Sequence, residues 1–393
     1  MRGRLPRRVG VITTSYPTSD ADPAGGFVAA HCNLLRAAGC ELHIIAAASS
    51  QQVGPLSAPA ANLRIDGGEL FNHGGAPDAL EARMGVAAWA GAASFSARLT
   101  SAVLRHRAQW DGVIAHWLLP CALAALPSRG PMLAIAHGGD VHLMHRLGLV
   151  IPTVAALAAR RARIVFVNHA ARAGVQAALP RRLADYLDRA ATVIPMGIHV
   201  ERFAALAAGR VIQPSARPRV LVVARHVAIK GVDVVLDTLA HLASPIHLVI
   251  VGDGPLHTSL QAHGAAQQPR YPHHHIEFTG ALSPMQRDRE YQRAAIVVVP
   301  SRQLDNGRCE GLPQVALEAL ACGLPLVATR TGGLADLPAP VTLCAADSPA
   351  QLAAAIAHVL AAPPNSQACM SLANQFAWPN IHQRLLEHWL HDK

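Results

Sequence analysis

The chain has 393 residues, 51% of them apolar and 15% charged, enough for two domains at roughly 150 residues each and incompatible with wholesale disorder. Lysine and arginine outnumber aspartate and glutamate by 34 to 25, a formal charge of +9 that favours anionic partners such as anionic lipid or phosphorylated metabolites. The arginines are scattered, with no basic run interleaved with aromatics, so no nucleic acid partner is expected. Seven cysteines (Cys32, Cys40, Cys121, Cys309, Cys322, Cys344 and Cys369) form no C-x-x-C pair, which points to reduced thiols without a disulfide framework or zinc ribbon.

The chain opens on MRGRLPRRVGVITTSYP, a basic segment whose apolar stretch is too short for a signal peptide. No run of about 18 apolar residues follows, so no membrane span is expected and a cytoplasmic location is. Short β-rich runs then alternate with longer Ala/Leu-rich stretches. Strands are predicted over 9–13, 42–46, 113–115, 132–136, 164–167 and 193–195, and a second series over 220–224, 246–251, 276–279, 296–299 and 324–328. Strands spaced by helices indicate βαβ units and parallel sheets covered on both faces. The expected fold is therefore α/β, with two doubly wound, Rossmann-like parallel-sheet domains facing across a cleft, and ligands at the carboxyl ends of the strands. Gly209, Pro214 and Pro218 interrupt the pattern between the two series. They divide the chain into an N-terminal domain over 1–203, a linker over 204–217 and a C-terminal domain over 218–373. The amphipathic tail, 374–393, is expected to pack back onto the N-terminal domain.

The most informative segment is PSRQLDNGRCEGLPQVALEALACGLPLVATRTGGLADL, residues 300–337. A strand ends at Pro300-Ser301, a polar loop leads to Glu310, and Gly311-Leu312-Pro313 opens a helix containing Glu318. At about 3.6 residues per turn the two glutamates lie roughly two turns apart, one at the helix mouth and one within it. Helix N-termini present unpaired N–H groups and a positive dipole to phosphate, while carboxylates accept bonds from hydroxyls. Sugar on one side of a phosphate and ribose on the other is the natural ligand. An isolated pair of this kind would be a helix cap plus a solvated glutamate; here a strand and the Gly332-Gly333 loop follow, where a ligand could approach closely.

The phrase EGLPQVALEALACGLPLVAT resembles the two-glutamate signature of the retaining GT-B glycosyltransferases that use nucleotide-sugar donors, and its EGLP variant is similar to transferases of exopolysaccharide and lipopolysaccharide assembly. The resemblance continues through VARHVAIKG (223–231), VGDGPL (251–256), FTGAL (278–282), VIPMGIHVERF (193–203), AHGGDVH (136–142) and GGF (25–27). It implies that Arg225 and Lys230 contact the donor diphosphate, that Glu310 holds hydroxyls of the transferred sugar, and that Glu318 holds the ribose. It implies that main-chain N–H groups near Gly311, Leu312, Gln314 and Val315 meet sugar and phosphate, and that His137 touches the donor sugar. Gly25 and Gly26 would let the backbone approach the diphosphate, and the turn at Gly252 and Gly254 would lie beside the nucleotide. Pro313 stands where many relatives have glycine; proline has no N–H, so donor identity does not carry over.

The reaction implied is transfer of a sugar from a nucleoside-diphosphate donor to a saccharide or lipid-linked acceptor hydroxyl, with retention and without cofactor or metal. No D-x-D follows a strand; Asp20-Ala21-Asp22 lies in the glycine-leading loop, and His273-His274-His275 reads as an exposed loop without a partner acid. Crowding of Arg2, Arg4, Arg7 and Arg8 adds the expectation of peripheral attachment to the inner face of an anionic membrane. Three alternatives stay open. A nucleotide-sugar epimerase would need acid/base carboxylates that the sequence does not identify. A nicotinamide oxidoreductase would need a full G-x-G-x-x-G, which VGDGPL lacks. A non-catalytic nucleotide-sugar-binding protein would carry the same nucleotide motifs.

Overall fold

The computed structural model describes residues 4–18, 22, 24–48, 54–55, 63–67, 71, 86–210 and 216–391. The chain divides into two compact units, one formed by Met1–Met196 with Trp378–Lys393 and the other by Gly197–Ala377.

The first unit is built on an eight-stranded sheet: β1 (Arg8–Thr13), β2 (Glu41–Ala48), β3 (Gly54–Pro55), β4 (Leu63–Asp66), β5 (Gly112–His116), β6 (Met132–Ala136), β7 (Arg163–Phe166) and β8 (Ala191–Val193), in the order β3-β4-β2-β1-β5-β6-β7-β8. Every pairing is parallel except that of β3 with β4. Alternation along the strands feeds two cores. Ile12, Ile45, Val113 and Ala115 enter one, while Val9, Val11, Ile44 and Ile114 enter the other. Because both faces are covered, these strands read as continuous apolar runs rather than as apolar–polar alternation.

The second unit has six parallel strands: β9 (Arg219–Val223), β10 (His247–Val251), β11 (His275–Gly280), β12 (Ile296–Val299), β13 (Leu326–Thr329) and β14 (Thr342–Cys344), in the order β11-β10-β9-β12-β13-β14. Its two cores are sorted the same way. Leu221, Val249 and Val297 lie on one face, and Val220, Leu248 and Val298 on the other. In each unit the strand order reverses once, between β1 and β5 and between β9 and β12. That reversal splays the following loops apart at the carboxyl ends and leaves a crevice there.

Several predicted boundaries move, β8 among them, from 193–195 to Ala191–Val193. The helix Val200–Ala208 belongs to the second unit: Phe203 is buried in that unit's core, and Arg202 pairs with Asp288 at 2.8 Å. The divide is therefore at 196/197, not in the expected linker 204–217, whose residues 211–215 lie outside those described. The tail helix starts at Trp378 rather than 374, because Asn374 ends the preceding helix Ser366–Asn374. Trp378, Ile381, Leu385 and Trp389, at i, i+3, i+7 and i+11, pack into the first unit's core with Val28, Cys32 and Leu35 of the helix Gly26–Ala37. The start of β13 also shifts, from 324 to Leu326, since Gly323 is left-handed (φ 65°) and Pro325 has no N–H for the ladder. The seven cysteines are free thiols, six of them buried.

Candidate active site

In the first unit, the residues of interest follow β1, β5 and β6. Gly25 adopts φ 70°, and a Cβ there would strike the Ser15 main chain at 2.5 Å; Gly26 opens its helix with no atom within 4 Å of such a Cβ. The first glycine thus serves the turn itself, and only the second leaves open space. Asp22 accepts bonds from the Thr18 N–H and hydroxyl at 2.8 and 2.7 Å, so it acts as a loop acid; Asp20 and Ala21 lie outside the described residues.

His137 stands directly after β6, its ring against Trp117 (centroids 4.5 Å) and Phe27 (4.9 Å). Trp117 itself has φ 72°, an uncommon backbone state for a bulky residue, held just past the end of β5. Asp140 fixes both loops at once: one carboxylate oxygen accepts the His137 N–H at 3.0 Å and the other the Leu118 N–H at 2.5 Å. Burial pushes its carboxyl up to about 6, opposed by those backbone bonds. Burial and the neighbouring His31 depress His137 to about 3. The sequence signal for Asp140 is its place as an acidic residue in the first turn of the helix Gly139–Arg146.

In the second unit, the loops after β9 and β12 bring Lys230 to Glu310, with Nζ 2.5 Å from Oε1. The Ser301 hydroxyl donates to the other carboxylate oxygen at 2.6 Å. Gly231 makes this approach possible. It is left-handed (φ 61°), and a Cβ there would sit 2.1 Å from the Pro300 carbonyl oxygen. The Arg302 N–H donates to the Ile229 carbonyl at 2.9 Å, and hydroxyls of Thr329 and Thr331 donate to the Ser301 carbonyl. Ser301, fully enclosed, was missed because a serine after a strand carries no signal until its partner is known.

Arg225 is exposed beside the turn that holds Gly252 and Gly254, tied to it by the His226 N–H to the Asp253 carbonyl at 2.8 Å. Both glycines press against main chain, Gly252 on the Ala224 carbonyl and Gly254 on His226. Gly332 and Gly333 likewise abut Glu310 and Gly311, and the Gly333 N–H donates to the Gly311 carbonyl at 2.7 Å. The side of Gly332 and Gly333 that a Cβ would occupy is thus filled by protein backbone, which explains the two glycines.

Pro313 caps the helix Gln314–Ala321 without a side-chain bond, leaving its first N–H groups, at Gln314 and Val315, without intrahelical acceptors; Gly311 and Leu312 precede it. Within the helix Glu318 is not brought to Lys230. It accepts the Tyr291 hydroxyl at 2.6 Å, and Arg287 lies 3.8 Å away. Burial, with the Glu318 charge second, drives the Tyr291 phenol well above its usual range.

The histidine run is not the exposed loop expected. His274 is buried, and its ring accepts the Ile246 N–H at 3.2 Å. His275 begins β11 beside His247, with the rings 4.5 Å apart, and Glu277 lies 2.8 Å from His247. Among the described residues these three form a cluster of metal-ligand composition. The Arg219 guanidinium already supplies cationic charge there, 3.2 Å from His247 Nδ1 and 3.5 Å from Glu277. A ligating histidine ordinarily turns its second nitrogen to an acceptor, so a guanidinium at Nδ1 argues against a metal centre.

The two parallel-sheet α/β units have the GT-B fold, with the candidate residues at the carboxyl ends of the strands. Residues 217–362 match the family described as Glycosyl transferases group 1. Among curated relatives, the chain is 29% identical over 241 residues to a GDP-mannose-dependent alpha-(1-6)-phosphatidylinositol monomannoside mannosyltransferase of Mycobacterium tuberculosis, covering 57% of this chain and 58% of the relative. It is 26% identical over 259 residues to the putative teichuronic acid biosynthesis glycosyltransferase TuaC of Bacillus subtilis, covering 61% and 59%. The matches thus span under two thirds of those relatives' lengths. Anabaena Alr3699/HepE, solved in complex with UDP, superposes with a TM-score of 0.67 at 15% identity over 97% of this chain and 98% of that one, which shows the shared fold.

Proposed function

We propose that this protein is a retaining glycosyltransferase that moves a sugar from a nucleoside-diphosphate-sugar to a saccharide or lipid-linked acceptor hydroxyl in cell-surface polysaccharide or glycolipid synthesis. The observation that carries this reading is the Ser301–Glu310–Lys230 group at the β9/β12 strand reversal, next to an uncapped helix N-terminus. Fixed positive charge from Lys230 and Arg225, with the helix dipole, would stabilise charge building on the departing diphosphate. Glu310 is assigned to hydroxyls of the transferred sugar, which a carboxylate oxygen accepts. With no nucleophile assigned, the reading is front-face attack, in which the leaving phosphate itself helps remove the acceptor proton. His137 and its aromatic neighbours in the first unit are assigned to the donor sugar. The mannosyltransferase and teichuronic acid relatives support an envelope glycan as product.

Arg7 and Arg8 pair with Glu41 and Asp111 at 3.2 and 2.7 Å, leaving less charge for a lipid surface. Among the described residues no single helix is long and apolar enough to cross a membrane.

The test is incubation with a panel of nucleotide sugars, GDP-mannose and UDP-glucose included, with and without EDTA. Release of nucleoside diphosphate with a retained anomeric linkage, undiminished by the chelator, is expected. An epimerised donor, or binding without turnover on any donor and acceptor, would overturn the reading.

A further inference from the structure

Behind His137 runs a line of imidazoles, all within the first unit. His137 Nε2 lies 3.0 Å from His116 Nδ1, and His116 Nε2 lies 3.5 Å from His31 Nδ1. His116 and His31 are buried, at 0% and 1% exposure, and both take their protons at a pH well below that of an ordinary histidine. His31 is sealed from the far side by the rings of Trp378 and His382, at 6.4 and 5.7 Å.

A neutral imidazole has one donor and one acceptor nitrogen, so a row of three bonded rings permits only two arrangements. If the N–H groups point from His137 towards His31, the row ends on a proton at His31 Nε2. That atom is buried and has no hydrogen-bond partner. If they point the other way, His31 Nε2 carries only a lone pair, His116 donates from Nδ1, and His137 receives at Nε2. Orphaned buried N–H groups are rarer than orphaned acceptors, which favours the second arrangement.

The geometry points to His116 as a positioning residue that fixes His137 as the Nδ1–H tautomer, making His137 a neutral hydrogen-bond donor to the donor substrate rather than a base. This rests on the glycosyltransferase reading for its consequence, but not for the tautomer itself. His137 Nδ1 is the ring nitrogen not spent on His116, and a proton there suits a sugar or phosphate oxygen. The loop placement set by Asp140 and the tautomer set by His116 are then two separate supports for one ring.

The experiment is long-range 1H–15N correlation of the full-length protein labelled at histidine, with the His137 signals identified by their loss in His137→Gln. The expected spectrum shows His137 protonated at Nδ1. His116→Phe keeps the ring shape without the donor. It is expected to shift His137 towards the Nε2–H form and to lower kcat about 10–100-fold with donor KM little changed, in line with other orienting partners. His116→Asn, whose amide can occupy the place of Nδ1, is expected to restore the tautomer and most of the lost rate. If His116→Phe does not fold, His116→Leu, which removes the same Nδ1 donor, is read by the same spectrum and is expected to shift His137 towards the Nε2–H form. Wild-type His137 protonated at Nε2, or a tautomer unmoved by these variants, overturns the inference. Absence of turnover with every nucleotide sugar, alongside the expected spectrum, overturns the glycosyltransferase reading alone.

Discussion

Replacing Glu310 with glutamine tests the central group most directly, because the two functions it is assigned respond with opposite signs. Glutamine keeps the shape and one acceptor oxygen, so either the Ser301 or the Lys230 bond survives, but the negative charge is gone. Unit charges about 4 Å apart interact by about 1 kcal/mol in water and about 4 kcal/mol at an effective dielectric of 20. The side chains of Lys230 and Glu310 are 23% and 17% exposed, between those limits. A Lys230 relieved of its carboxylate offers its full charge to a diphosphate, so nucleoside-diphosphate affinity should rise by about 1–2 kcal/mol, or about 5–30-fold. Sugar transfer should instead fall, since a hydrogen bond from a hydroxyl to a charged group is worth about 1.5–3 kcal/mol. Glu318→Gln has the contrasting expectation. Its amide oxygen still accepts from Tyr291, so the fold is kept, while nucleotide affinity weakens. Calorimetry with GDP and UDP on both variants, paired with initial rates, gives the answer. Weaker diphosphate binding by Glu310→Gln at unchanged melting temperature would show that Lys230 is not a phosphate ligand. Unchanged nucleotide binding by Glu318→Gln would remove the ribose assignment.

Lys230→Ala and Arg225→Ala should each cost about 2–4 kcal/mol of transition-state stabilisation, seen as lost kcat, with little change in melting temperature for the exposed Arg225. Gly231→Ala should destabilise the second unit by more than about 1 kcal/mol, because a left-handed φ and a 2.1 Å clash with the Pro300 carbonyl coincide; denaturant unfolding measures it. Acidification from pH 7 to 5 should lower the melting temperature of the first unit. An unfolded histidine takes up its proton near 6.5 while His137 waits until about 3, so its stabilisation, full above 6.5, is lost as pH falls, by up to about 2 kcal/mol at pH 5. Asp140, raised to about 6, works in the opposite sense and returns about 1 kcal/mol over the same interval, whereas His31 and His116 add to the loss. A melting temperature that rises towards pH 5 would refute this balance.

The sequence by itself determined the parallel α/β architecture, since strands covered on both faces must be apolar throughout and the helices between them must be long enough to cross over. Its local signals also located the loops after β6, β9 and β12, because K-G, E-G-L-P and H-G-G each combine a charged or polar group with a residue that permits a turn. Three short strands, β3, β4 and β14, gave no such signal. They lie at or next to the edges of their sheets, and a neighbouring strand supplies their pairing.

Only the tertiary structure decided what the glycines and glutamates face. Gly231, Gly252, Gly254, Gly332 and Gly333 each turn the side a Cβ would occupy onto backbone from another segment, so a larger residue would not fit these loops. Glu310 and Glu318, alike in sequence, diverge because one meets a lysine across a strand reversal and the other a tyrosine on the helix Pro284–Arg293. The row His31–His116–His137 joins residues from a helix and two strand ends, 85 and 21 positions apart. Hydrogen bonds of this kind depend on through-space distances of a few ångströms, which spacing along a chain determines only within one helix or strand.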